Sequence, residues 1–182
     1  MDRFEETLGF IDKFCKEHKF NYTVIGGIAV INYNYHRTTN DIDIIIKVEI
    51  ENLQILGEEL LKTFKPAFNN ALDFFKKNFV LPSIYEEKGV RIDISAAISV
   101  FDNLVIQRSK RTKIGNTEFS VCSIEDLILY KIFASRYQDL GDIQQLFKNN
   151  TDIDKEYLTQ KAGEFIEIGR SDILDKLNEF LK

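Results

Sequence analysis

Tryptophan is missing from the 182 residues, and methionine, histidine, proline and cysteine are nearly so, at one, two, two and two. Each scarcity excludes something. Cys15 and Cys122 are too few for the disulfide framework of a secreted scaffold, and are expected as two buried thiols in a reducing cytoplasm. With only His18 and His36 beside them, and no close-spaced pair, a zinc site is not expected. A surplus of positive charge is missing too. The net charge of −5 and the pI of about 5.2 argue against broad, charge-driven nucleic-acid binding, but leave room for a local basic site. No apolar run approaches the roughly 20 residues that span a bilayer; "IIIKV" (44–48) is among the longest. The opening "MDRFEETLGF" lacks the apolar core of a secretory signal, so a soluble cytoplasmic protein is expected, with no membrane partner.

What is present is enough for a core. The hydrophobic share is 44%, with 15 Phe and 7 Tyr, so the interior is expected to be rich in Phe and Ile. The length suits one domain, or a domain with a helical appendage. Pro66 and Pro82 alone punctuate the chain, which shows no repeat and no low-complexity segment.

Apolar spacing predicts helices over 3–18, 28–35, 51–63 and 68–78. Short strands are expected at 22–25 and 41–48, the latter reading "DIDIIIKV". Two hairpins are expected: 79–96, turning at Glu87-Lys88-Gly89, and 104–121, turning at Gly115-Asn116. From Ser123 the pattern becomes helical: Ser123 reads as an N-cap with Glu125 and Asp126 in the first turn, and helices follow near 124–136, 139–148, 154–167 and 171–181. The expected fold is α/β (α+β): a small mixed β-sheet flanked by helices over 1–122, with 123–182 as a helical segment packed on that core.

"DIDIIIKV" sets two acids one residue apart. Side chains alternate along a strand, so Asp41 and Asp43 share one face while Ile42, Ile44 and Ile46 share the other. Two like charges side by side repel unless something compensates them, and a divalent cation does. In "VRIDIS", Asp93 is a third acid, placed mid-strand between Ile92 and Ile94. Three acids on neighbouring strands suit Mg²⁺, which prefers oxygen ligands, and can hold two ions about 3.5–4 Å apart for in-line phosphoryl displacement. Asp93 would then activate an attacking hydroxyl. Gly26-Gly27, between a strand and a helix, lets backbone N–H groups approach a phosphate.

Taken together, strand, Gly26-Gly27, helix, Asp41-x-Asp43 and a later strand Asp93 resemble the nucleotidyltransferase (polymerase-beta-like) superfamily. The spelling Arg37-x-Thr39-x-Asp41-Ile-Asp43 and the stretch "SIEDLILYKIFASRYQDLGDIQQL" narrow the resemblance to the AbiEii-type toxin nucleotidyltransferases and their relatives, over about residues 20–145. The resemblance implies a nucleotidyltransferase fold, Mg²⁺ (two ions) on Asp41, Asp43 and Asp93, and a nucleoside triphosphate as substrate. Gly26, Gly27, Arg37, Thr39, Lys131, Arg136, Asp139 and Asp142 would be nucleotide-binding. Lys131 would reach the phosphates and join the three aspartates as a catalytic residue. Gly27 stands where many members have Ser, leaving only backbone donation there. The implied acceptor is RNA such as tRNA, a protein or a small molecule, and the implied partner of a toxin is an antitoxin protein.

Other readings stay beside these. Arg37 either pairs with a phosphate or neutralises Asp41. Arg136, Asp139 and Asp142 either position Lys131 and the nucleotide or form a helix-end charge network, since 139 and 142 share a face. The run "QRSKRTKIG" (107–115) is the one basic patch, either an acceptor or triphosphate contact or a solvated hairpin tip. Two functional alternatives are an antibiotic-type small-molecule nucleotidyltransferase and a non-catalytic module that binds nucleotide or a partner protein.

Overall fold

A computed structural model describes residues 2–85 and 88–182. It divides into two units, Met1–Ile28 with Thr38–Cys122, and Ala29–Arg37 with Ser123–Lys182. The turn expected at Glu87 lies outside the described residues.

The first unit opens with α1 (Asp2–Glu17), which buries Leu8, Ile11, Phe14 and Cys15 along one face. There follow β1 (Tyr22–Ile25), the start of α2 (Gly26–Asn32), β2 (Asp41–Lys47), a 3-10 turn (Ile50–Asn52), α3 (Leu53–Thr63), β3 (Lys65–Pro66) and α4 (Ala71–Asn78). Then come β4 (Val80–Tyr85), β5 (Val90–Ala97), α5 (Val100–Arg108), β6 (Lys110–Ile114) and β7 (Thr117–Val121). Among the described residues seven strands form one sheet in the order β3-β4-β5-β2-β1-β7-β6. It is mixed, as expected: β2–β5 and β1–β7 run parallel and the other pairs antiparallel.

Alternation decides its faces. Ile42, Ile44, Ile46, Ile92 and Ile94 are buried to 1% exposure or less, while Asp41, Asp43 and Asp93 lie half-buried on the opposite side. Cys15 and Cys122 are both buried and form no disulfide.

One expected element is overturned. The hairpin over 104–121 holds only from Lys110 onward, with its turn at Gly115-Asn116; residues 104–108 are helical, the end of α5. The cause is local. Ser99 Oγ accepts from the Asp102 backbone N–H at 2.9 Å, and the Asp102 carboxylate accepts from the Ser99 N–H at 3.1 Å. This reciprocal cap starts a helix just ahead of Leu104-Val105-Ile106, an apolar run too short to announce its own period.

The second unit contains the rest of α2 and the segment to Arg37, then α6 (Ile124–Ala134), α7 (Tyr137–Asn149), α8 (Lys155–Glu164), a 3-10 turn (Phe165–Ile168) and α9 (Asp172–Leu181). Ser123 caps α6 as expected, its hydroxyl accepting from the Asp126 N–H at 3.1 Å. Ser135, at φ 48°, breaks α6 from α7. The segment 29–37 is tied to the end of α7: Asn149 and Asn150 donate their side-chain amides to the carbonyls of Asn34 (2.9 Å) and Tyr33 (3.1 Å). No helix among the described residues is long and apolar enough to cross a membrane.

Candidate active site

The parallel pairing of β2 with β5 sets Asp43 beside Asp93 and Asp41 beside Arg91. One oxygen each from Asp41, Asp43 and Asp93 lies within 4.8 Å of the others. Thr39 donates its hydroxyl to the Asp41 carboxylate at 3.1 Å, fixing the residue that opens the strand. Across the sheet, Ile25 is the register partner of Asp43, so the chain turns at Gly26 directly against that carboxylate. Gly26 has φ +64°, and a Cβ there would lie 1.8 Å from Asp43 Oδ2. Gly27 is buried behind it.

Arg91 is a member of the site that sequence reasoning missed. Its guanidinium grips Asp93 with two hydrogen bonds, Nε to Oδ1 at 3.1 Å and Nη2 to Oδ2 at 3.0 Å. Its own pKa is raised, first by that hydrogen bond and the charge of Asp93, then by Asp41 and Asp43. The signal was available: in "VRIDIS" residues 91 and 93 share a face, and a cation beside a mid-strand acid is its cheapest counter-charge.

The other residues named from the sequence gather in the second unit. Lys131 is 4% exposed, and its Nζ donates to Asp139 Oδ1 at 3.2 Å and Asp142 Oδ2 at 2.6 Å. Arg37 Nε lies 3.2 Å from Asp142 Oδ1, and Arg136 donates from Nε to Asp139 Oδ2 at 2.7 Å. Asp139 and Asp142 are both 2% exposed. Burial alone would raise the Asp139 pKa; hydrogen bonds and charge from Arg136 and Lys131 outweigh it and hold the carboxyl below its usual range. Glu125 and Asp126 brace α8, accepting from the Asp154 N–H (3.2 Å) and the Tyr157 hydroxyl (2.6 Å).

The sequence over residues 5–179 matches the family described as "Nucleotidyl transferase of unknown function (DUF2204)". The chain belongs to that family. Solved nucleotidyltransferase structures share its fold at low identity. An antigenic nucleotidyltransferase-like protein from Paracoccidioides brasiliensis is 16% identical with a TM-score of 0.57, over 97% of this chain and 93% of that one. The lincosamide antibiotic adenylyltransferase LnuA, solved with lincomycin bound, is 19% identical with a TM-score of 0.57, over 80% and 98%. The antibiotic-resistance factor ANT(2'')-Ia is 13% identical with a TM-score of 0.53, over 97% and 90%. A search of curated proteins finds no significant match. The narrower likeness to AbiEii-type toxins is not among these findings.

Nucleotidyl transferases use nucleoside triphosphates and divalent metal, and this cluster fits such an ion. Three half-buried carboxylates converge with all-oxygen donors, and the glycine turn clears the space beside one of them. The glycine is testable. Gly26→Ala meets both a left-handed backbone, worth about 1–2 kcal/mol, and the Asp43 carboxylate. It is expected to displace Asp43 and lower transfer by about 10²-fold. Gly89 has φ +60° with nothing within 4 Å, so Gly89→Ala is the control: it carries the backbone strain alone and should lower thermal unfolding with no loss of transfer.

Proposed function

We propose that the chain catalyses Mg²⁺-dependent transfer of a nucleoside monophosphate from a nucleoside triphosphate to an acceptor hydroxyl, releasing pyrophosphate. The convergence of Asp41, Asp43 and Asp93 on one sheet face carries this reading. Asp41 and Asp43 would hold the metal with Asp93, as one ion or two. The bound cation would neutralise charge on the triphosphate and the developing pyrophosphate. The backbone at Gly26-Gly27 would donate to phosphate oxygens, and Thr39 would keep Asp41 aimed. Asp93 would take the proton from the acceptor hydroxyl as its oxygen bonds to the α-phosphorus and the bond to pyrophosphate breaks. Arg91 occupies both oxygens of the Asp93 carboxylate, so this step goes with Arg91 moving off Asp93.

The acceptor classes are RNA such as tRNA, a protein, and a small molecule, the last being the class to which the lincomycin bound to LnuA belongs. A toxin would arrest growth on expression in an Asp43-dependent way and be silenced by a partner antitoxin. The setting we propose is the cytoplasm, where nucleoside triphosphates are made and two buried thiols stay reduced.

The test is incubation of purified protein with each α-labelled nucleoside triphosphate, Mg²⁺, and in turn total RNA, protein extract and a small-molecule extract, beside Asp41→Asn. Label entering one fraction only with the wild type establishes transfer and names the acceptor. Absence of both label transfer and Asp41-dependent nucleotide binding would overturn the reading in favour of a non-catalytic module.

A further inference from the structure

The strand that carries Asp41 and Asp43, β2, and its neighbour β1, which leads into the glycine turn, meet at their other extremity a different cavity. Register sets Ile25 against Asp43 but Tyr22 against Ile46, with the Lys47 N–H donating to the Asn21 carbonyl. Lys47 is therefore about 13 Å of strand from Asp43. The cavity there measures about 420 Å³, and Lys16, Tyr22, Lys47, Gln107, Ser109 and Arg111 are among the residues lining it. That is a common size for a small-molecule site, which runs from about 300 to 1,000 Å³.

Its floor is a built network. Asp12, 6% exposed, accepts from both Arg111 Nη1 (2.5 Å) and Nη2 (3.0 Å), from the Tyr22 hydroxyl (2.7 Å), and lies 2.6 Å from Lys16 Nζ. Burial acts to raise its pKa, but the hydrogen bonds from Arg111, Lys16 and Tyr22 outweigh it and bring the carboxyl down to about 2. The Tyr22 oxygen in turn accepts from the Ser120 N–H at 3.2 Å, and Ser120 donates its hydroxyl to Ser109 at 2.9 Å. Arg111 is thus locked in place with three of its five N–H groups beyond those given to Asp12. Glu118 approaches Arg111 only at 4.0 Å and is itself met by Lys113 at 3.0 Å.

The lining is left with three cations, Lys16, Lys47 and Arg111, against one carboxylate, Asp12. The Lys47 ammonium makes no ion pair among the described residues. Part of the basic run "QRSKRTKIG" is accounted for here: Gln107, Ser109 and Arg111 face this cavity, and Phe20 and Ile106 give it an apolar wall.

We propose that this cavity is a second ligand site, which binds a small phosphate-bearing anion away from the carboxylate cluster. A fixed guanidinium, two ammonium groups and the side-chain amides of Asn21 and Gln107 supply the donors that a phosphate's oxygens take up. The apolar wall suits an organic moiety attached to it. The concavity and the acidic net charge favour a small ligand over a nucleic-acid strand. The site stands independently of nucleotidyl transfer.

The experiment is a nitrogen–proton NMR titration of the full chain in EDTA, so that no divalent cation draws anions to the carboxylates. Probes are inorganic pyrophosphate, adenosine monophosphate and a short oligoribonucleotide, against wild type and Lys47→Glu. Lys47 is exposed, so the variant should keep the wild-type spectrum elsewhere. Saturable shifts at Lys47, Gln107 and Ser109, weakened about tenfold or more in the variant, are expected. Tighter binding of the monophosphate than of pyrophosphate assigns an organophosphate ligand; the reverse assigns the bare inorganic anion. Absence of saturable shifts, shifts centred on Asp41 and Asp43, shifts unchanged in Lys47→Glu, or a response to the oligoribonucleotide alone would each overturn the proposal.

Discussion

Asp43→Asn is expected to lower nucleotide transfer by about 10³-fold while leaving the fold intact or slightly steadier. Asn fills the space of Asp against the Gly26 turn, where a Cβ would already lie 1.8 Å from Oδ2, so packing is preserved. What is lost is charge: one of three carboxylates crowded within 4.8 Å. A metal ion held by oxygen donors binds more weakly when one turns neutral, and half of that amide's polar atoms are donors facing a cation. In the absence of metal the three acids crowd one another while Arg91 grips Asp93, and neutralising one relieves repulsion. Transfer rate and thermal unfolding in EDTA should therefore move in opposite directions, or the second not at all. Manganese binding followed by electron paramagnetic resonance should fall with the rate. An unfolding temperature that drops sharply, with metal binding unchanged, would make Asp43 a structural acid and remove the centre of the proposed reaction.

The strand, the glycine turn and the acids at 41, 43 and 93 were legible because each follows from local rules. β-branched residues mark the strands, alternation chooses the face, and paired glycines mark the tight reversal. Contacts between residues distant in sequence were not legible. Arg111 and Asp12 are 99 positions apart, and no spacing rule joins them. Arg37 was read as a partner of phosphate or of Asp41; the structure puts it 3.2 Å from Asp142, on a helix reached only after the whole sheet has been built. Arg91 lay between these cases. Its face and its neighbour were both readable from "VRIDIS", but that Arg91 folds onto Asp93 rather than into solvent is set by the folded sheet. The first arm of the 104–121 hairpin failed for a smaller reason: a Ser99–Asp102 cap outweighed a three-residue apolar run.

Lys131→Met should cost about 3 kcal/mol of stability, a drop of roughly 6–12 °C in unfolding temperature for a chain of this size. Lys131 is buried with two carboxylates that are each 2% exposed, and its Nζ bonds both. Met matches its stem, so the change removes the charge with little change in volume. Asp142 keeps Arg37 and Asp139 keeps Arg136, which limits the damage. pH gives the sign. The Asp139 pKa is depressed in the folded chain, so its contribution is present above the unfolded value near 4 and fades as pH falls through the folded value. Without Lys131 that depression shrinks, so wild type and variant should differ most at neutral pH and converge in acid. Adding Asp142→Asn to Lys131→Met should recover part of the loss, because a neutral amide needs no buried counter-charge. The phosphate-binding role implied by the superfamily resemblance predicts something further. Measured well below its unfolding temperature, the folded variant would bind nucleoside triphosphate about tenfold more weakly, and the Asp142→Asn addition would not restore that affinity. Restored stability with nucleotide affinity unchanged throughout would leave Lys131 as the ion that holds Asp139 and Asp142 together.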